Sequence, residues 1–156
     1  MNRAQMLQPI QLIYVSAATR PLEPAQLRDL LAVARKNNYS VKVTGVLAYH
    51  DQCFLQVWEG ARVAVEAIYN RVSTDPRHQQ VTTLLRQEID RKEFEEWSLA
   101  YFDGKDDAER LAGFVKCLNA LKQQTKGESA ALNILSQFEN GDWRNLLEQS
   151  RRAQVA

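Results

Sequence analysis

Cysteine, proline and glycine are all sparse, at two, four and six residues in a chain of 156. Two cysteines, Cys53 and Cys117, are too few for a disulfide framework, so a reduced, cytoplasmic setting is expected. No Pro-rich, Gly-rich or low-complexity tract marks a linker. Charge of one sign is also missing. Lys plus Arg is 20 and Asp plus Glu is 19, a net charge of +1, which excludes a strong field for nucleic acid or for an acidic membrane. No apolar run approaches the ~18 residues of a membrane-spanning helix, and the polar lead-in of residues 1–9 does not read as a signal peptide. The G-x-S-x-G, P-loop and G-x-G-x-x-G motifs are absent. His50 and Cys53 stand three apart, well short of a structural zinc ligand set, so no metal is expected. Glu95 and Glu96 are neighbours in a charged turn and read as solvated surface rather than a catalytic pair. No enzymatic activity is expected.

What is present is an ordinary globular balance, with 45% hydrophobic and 25% charged residues. The length suits one domain with a short extension. Residues 1–10 read as a loose lead-in. Residues 11–17 alternate as a strand, with Leu12, Tyr14 and Ser16 on one face and Ile13 and Val15 on the other. Leu27, Leu30, Leu31 and Ala34 have helical spacing, placing an amphipathic helix over 25–36 that Asn37 and Asn38 end. Residues 41–49 and 53–58 form an antiparallel hairpin, with Gly45 marking a bulge or a close approach. Glu59-Gly60 ends its second strand. A helix over 63–73, a strand over 80–89 and a last strand over 97–102 follow. This α+β order resembles a ferredoxin-like sandwich, βαββαββ, with a mixed five-stranded sheet and two helices on one face. Beyond residue 104 the pattern turns helical, over 105–124 and 130–138. The stripe Leu111, Phe114, Val115, Leu118 and Leu121 is expected to cover the free sheet face, with a subunit interface as the other reading.

Tyr14 and Gln56 are the polar residues out of place, each mid-strand on a face expected to be core. A buried glutamine must find partners for a carbonyl and an NH₂, at ~1–3 kcal/mol for each group left unpaired. Spacing leaves two readings open. Tyr14 and Gln56 satisfy one another in the core, or they border a planar polar ligand gripped between Leu30 and Val72.

The segments LIYVS (12–16), ARKNN (34–38), VTGVLAY (43–49), FLQVWEG (54–60), YNRVSTDPRH (69–78) and FEEWSL (94–99) occur in the order and at the spacings of BLUF domains, blue-light receptors that bind FAD. The resemblance covers residues 10–103, leaving 104–150 as a C-terminal helical extension like those of short stand-alone members. It implies a flavin between the two sheet-packed helices, with Tyr14 as the photoactive tyrosine and Gln56 as the switching glutamine. It also implies Asn38 on the flavin C4 carbonyl and N3 edge with Asn37 beside it, Leu30 and Val72 sandwiching the ring, and Phe54 in the pocket. Arg71 would contact phosphate, and Asp75, Arg77 and His78 would approach the pyrimidine end and the ribityl chain. Light would move an electron and a proton out of Tyr14 and leave the Gln56 amide rotated or tautomerised. Signal relay is expected through Trp97, Ser98 and Leu99 and the C-terminal helices to an unidentified downstream protein, with a homo-oligomer expected and no nucleic acid or membrane as partner. One position departs from the family pattern. Leu99 stands where methionine is frequent, keeping the volume but losing the polarizable thioether.

Two other classes compete. An acyl-phosphate hydrolase needs a phosphate-cradling loop near the first strand, where Arg20 is followed by an unhelpful Pro21. An RNA-binding sheet could use Tyr14, Phe54 and Trp58, but the +1 charge opposes it. Both predict a colourless protein.

Overall fold

The computed structural model describes residues 1–50, 53–94 and 129–139. The elements run α1 (Arg3–Leu7), β1 (Pro9–Ala18), α2 (Pro24–Ser40), β2 (Thr44–His50), β3 (Cys53–Ala61), α3 (Arg62–Thr74), β4 (His78–Glu88) and α4 (Ala130–Glu139). The sheet order is β2-β3-β1-β4, and β1–β3, β1–β4 and β2–β3 are all antiparallel. The fold is α+β. The fifth strand, on which a mixed sheet would depend, falls outside the described residues, as does the stripe over 105–124.

Strand alternation divides the core between two faces. Leu12, Tyr14, Trp58, Val65 and Ile68 join β1 and β3 to α3, and Leu27, Leu31, Leu47 and Phe54 join the sheet to α2. On the opposite face Ile13, Val15, Val46, Leu55 and Val57 pack with Phe94 and with Ala131 and Leu132 of α4. A segment from the C-terminal region therefore covers the face that α2 and α3 leave open.

Several boundaries differ from expectation. The lead-in contains a short helix because Asn2 and Gln5 form a reciprocal capping box, at 2.9 and 3.0 Å. Helix α2 continues through Asn37 and Asn38 instead of ending there. Its stop comes at Val41, and Lys42 takes the left-handed conformation, φ 58°. Val41 and Val43 both donate backbone N–H groups to the Asn38 carbonyl. That turn delays β2 to Thr44. Strand β3 does not stop at Trp58, because Glu59 and Gly60 pair with Gln11 and Ile10 of β1. Gly45 answers a close approach. A Cβ there would sit 1.7 Å from the Val57 carbonyl oxygen, so only glycine lets β2 lie against β3.

The register of β1 against β4 shifts twice, between Ile13 and Tyr14 and between Val15 and Ala17. Both irregularities flank Tyr14. Such bulges re-aim side chains, and they concentrate beside functional sites.

Candidate functional site

Helix spacing explains how a cavity forms above β1 and β3. In α2, Leu30, Val33, Ala34 and Asn37 follow one another at i, i+3, i+4 and i+7, with Asn38 adjacent. In α3 and its C-cap, Ile68, Arg71, Val72 and Asp75 repeat the same interval. All of these line one cavity. The sheet supplies its floor through Leu47, Phe54, Gln56 and Trp58, and the start of β4 adds Arg77 and His78. The cavity measures about 190 Å³ and is open on one side. An apolar cavity of ~150 Å³ admits a benzene ring, so this one suits a flat ring system with one end projecting.

Each expected cofactor contact lines this cavity: Asn37, Asn38, Leu30, Phe54, Arg71, Val72, Asp75, Arg77 and His78, together with Gln56. Tyr14 does not. It lies fully buried behind the floor, opposite Gln56 in the β1–β3 register, and its hydroxyl donates to Gln56 Oε1. Spacing alone missed Val33, Ala34, Leu47, Trp58 and Ile68 as lining residues. The helical interval from Leu30 and from Val72 was the signal that could have found three of them, Val33, Ala34 and Ile68. Trp97, Ser98 and Leu99 lie outside the described residues.

Packing locks the Tyr14–Gln56 pair. The Tyr14 ring lies 4.9 Å from Trp58, and stands edge-on to Tyr69 and His78 at 6.3 Å. Thr83 Oγ1 donates to the Tyr69 hydroxyl at 3.0 Å. Burial, with the Asp75 and Tyr69 charges as smaller contributors, pushes the Tyr14 phenol far above its ordinary range. Tyr14 therefore stays protonated at every physiological pH.

His78 is anchored rather than a surface imidazole. Its Nδ1 lies 2.8 Å from Ser16 Oγ, and its ring packs 4.6 Å from Phe54. Burial depresses its pKa, outweighing the attraction of Asp75. Asp75 in turn holds Arg77, whose Nη2 and Nε donate to it at 2.6 and 3.0 Å. The arginine draws the Asp75 carboxyl below its ordinary value.

The polar inventory fits a flavin ring. Gln56 spends its carbonyl on Tyr14, and its NH₂ makes no hydrogen bond among the described residues. Asn38 is 3% exposed, and its side-chain amide is likewise unspent on protein among the described residues. Two amide groups at the edge of an apolar slot match the carbonyl and N–H edge of an isoalloxazine. Leu30 and Val72, from different helices, offer apolar surface to its faces. No group of three or more His, Cys, Asp or Glu side chains is placed to hold a metal among the described residues.

Comparison with known proteins places this arrangement. A family profile described as BLUF, sensors of blue-light using FAD, matches residues 10–100. Photoactivated adenylate cyclase subunit beta of Euglena gracilis is 33% identical over 116 residues, 74% of this chain and 13% of that protein. The blue light- and temperature-regulated antirepressor BluF of Escherichia coli is 28% identical over 92 residues, 59% of this chain and 23% of that one. The chain thus spans only a small part of these relatives. Among solved structures, the dark state of the BLUF protein BlrB superposes with a TM-score of 0.61 at 29% identity, covering 72% of this chain and 85% of that one. The ground state of BlsA gives 0.58 at 30% identity, covering 69% and 72%. With its cavity, its buried Tyr14–Gln56 pair and a profile match over 10–100, this chain belongs to the BLUF family of blue-light sensors.

Proposed function

We propose that the chain is a blue-light receptor that holds FAD non-covalently in this cavity. The observation that carries the reading is the Tyr14–Gln56 hydrogen bond, with the remaining Gln56 amide group left for the cavity. When bound, flavin supplies the visible absorption and, once excited, a one-electron oxidant. Tyr14 is the electron source. A phenol that loses an electron becomes a strong acid, and among the described residues the buried Tyr14 hydroxyl has one acceptor, Gln56 Oε1. The proton therefore passes to the Gln56 amide as the electron leaves for the cavity, and both return to Tyr14 when the charges recombine. When charge returns, Gln56 is left rotated or tautomerised, with a changed donor pattern toward the cavity. Asn38 and Asn37 hold the polar edge of the ring, Leu30, Val72 and Phe54 pack its surface, and Arg71, Asp75, Arg77 and His78 serve the ribityl and phosphate groups.

Output follows a protein–protein route, and the chain itself catalyses no substrate turnover. One relative's name couples blue light to an antirepressor and another's couples light to an adenylate cyclase, which supports a downstream protein as the receiver. Phe94 and α4 pack against the sheet face opposite the cavity, so residues after β4 are in contact with the strands that carry Tyr14 and Gln56. No described helix is long and apolar enough to cross a membrane. A cytoplasmic setting and a homo-oligomer are part of the proposal. The test is a visible spectrum of the purified chain. A yellow protein whose flavin bands move reversibly to the red under blue light supports the reading, and a colourless or light-insensitive protein overturns it.

A further inference from the structure

Trp58 is the largest of the fully buried side chains, at 1% exposure. Its partners across the sheet are Leu12 on β1 and Gly45 on β2. Gly45 carries no side chain to share that face, which leaves the indole room on its β2 side. Three observations set this residue apart. It lines the cavity, whereas Tyr14 does not. Its ring lies 4.9 Å from the Tyr14 ring, tilted by 42°. Its Nε1–H is buried without a hydrogen-bond partner among the described residues. Buried polar groups are nearly always paired, and an orphan calls for an explanation, a redox role among the possible ones. Packing alone is better served by phenylalanine or leucine, which leave no donor unpaired at ~1–3 kcal/mol.

The two rings differ in what oxidation demands of them. A phenol gives up an electron readily only when its proton has somewhere to go, and Tyr14 has Gln56 Oε1. An oxidised indole is a weaker acid and keeps its N–H, the more so where no acceptor faces it. Trp58 can therefore release an electron at once but cannot trap the resulting charge. Tyr14 can trap it but stands behind the cavity floor. Electron transfer weakens steeply with distance, which favours the ring that borders the cavity.

We infer that Trp58 is the first electron donor to a flavin in the cavity and that Tyr14 refills it, so that oxidation passes from Trp58 to Tyr14 before Gln56 switches. The inference rests on the flavin reading of the cavity. Trp58 loses one electron to the excited flavin, its one-electron oxidant, and keeps its proton. Tyr14 then gives one electron to Trp58, while the Tyr14 hydroxyl proton goes to Gln56 Oε1. On recombination the electron and the proton return to Tyr14. Trp58 ends as it began, and Tyr14 remains the net source of both particles.

The test is time-resolved spectroscopy on the flavin-loaded full chain. Flavin fluorescence decay reports the first transfer, transient absorption identifies the oxidised ring, and the red-shift yield reports the outcome. In wild type, an oxidised-indole signal should rise as the fluorescence decays and fall as oxidised phenol appears. Trp58→Phe should lose the indole signal although Trp97 and Trp143 remain, lengthen the fluorescence decay several-fold and lower the red-shift yield. Tyr14→Phe should keep the wild-type fluorescence decay, because its first donor is intact. Oxidised phenol without an indole precursor in wild type overturns the relay, whether or not Trp58→Phe folds. A fluorescence decay unchanged by Trp58→Phe overturns it too, and so does a red-shift yield that rises, which makes Trp58 a drain on the switch. In each of these cases bound flavin and a red shift survive in wild type, so the functional reading stands. A chain that binds no flavin overturns both.

Discussion

On the face covered by α2 and α3, Gln56 and Asn38 keep amide groups for a cavity. On the opposite face of the same strands, Gln11 and Glu59 spend theirs on protein. Gln87 Nε2 donates to Gln11 Oε1 at 2.9 Å, and Gln11 Nε2 donates to Glu59 Oε2 at 2.9 Å. The Glu93 and Phe94 backbone N–H groups complete the carboxylate at 3.1 and 2.7 Å. Ser129 Oγ then donates to Glu93 at 2.6 Å and accepts the Leu132 N–H, capping the first turn of α4. Gln11 and Glu59 are each 0% exposed, yet among the described residues their side-chain hydrogen bonds all end on other protein groups. For these four side chains, what separates the cavity from the structural network is not burial or residue type, but whether polar groups are left over once the protein's own bonds are made.

Breaking the cavity face gives the largest effect. Gln56→Leu removes the amide that switches, so flavin should still bind while the light-induced red shift disappears from the difference spectrum. A shift that persists would show that the amide is not the switch.

Breaking the opposite face should cost stability and leave the photochemistry alone. Glu59→Ala strands the Gln11 side chain and the Glu93 and Phe94 N–H groups, a loss of about 3 kcal/mol or more. Urea unfolding in the dark measures it. Unchanged stability would mean that the network is dispensable.

The two faces should also respond to pH with opposite signs. Burial lifts the Glu59 pKa above its ordinary 4.5, although its hydrogen-bond donors pull the other way. The folded chain therefore holds that proton more tightly than the unfolded chain, and stability falls as pH rises from 4.5 through the raised value. His78 is held below its ordinary 6.5, so its contribution is present above 6.5 and is lost as pH falls through the depressed value. Glu59→Gln should flatten the first slope and His78→Gln the second, in unfolding curves recorded across pH. Parallel slopes in wild type and variants would remove these two groups as the source.

Much of the cavity was legible in the chain because it is built from periodic intervals. The helical spacing of Leu30 with Asn37, and of Arg71 and Val72 with Asp75, puts each set on one face, and strand alternation puts Tyr14 and Gln56 on another. The far-side network was not legible. Glu59 followed by Gly60 looks like a strand end, and the donors that make a buried carboxylate tolerable there, the Gln11 side chain and the Glu93–Phe94 backbone, are all more than thirty positions away. The extension of α2 through Asn38 was missed for a related reason. Lys42, a residue with no special preference for the left-handed conformation, supplies the stop that asparagine was expected to give. The Leu99 position on the expected last strand lies outside the described residues, so its bearing on output rests on sequence alone.

The central claim is that Tyr14 supplies the electron and the proton, and Tyr14→Phe tests it most directly. The variant keeps ring volume and burial while deleting the hydroxyl that donates to Gln56. Light-minus-dark absorption of the flavin-loaded Tyr14→Phe protein should be flat, with its dark flavin bands retained. A wild-type red shift from that protein would contradict the account.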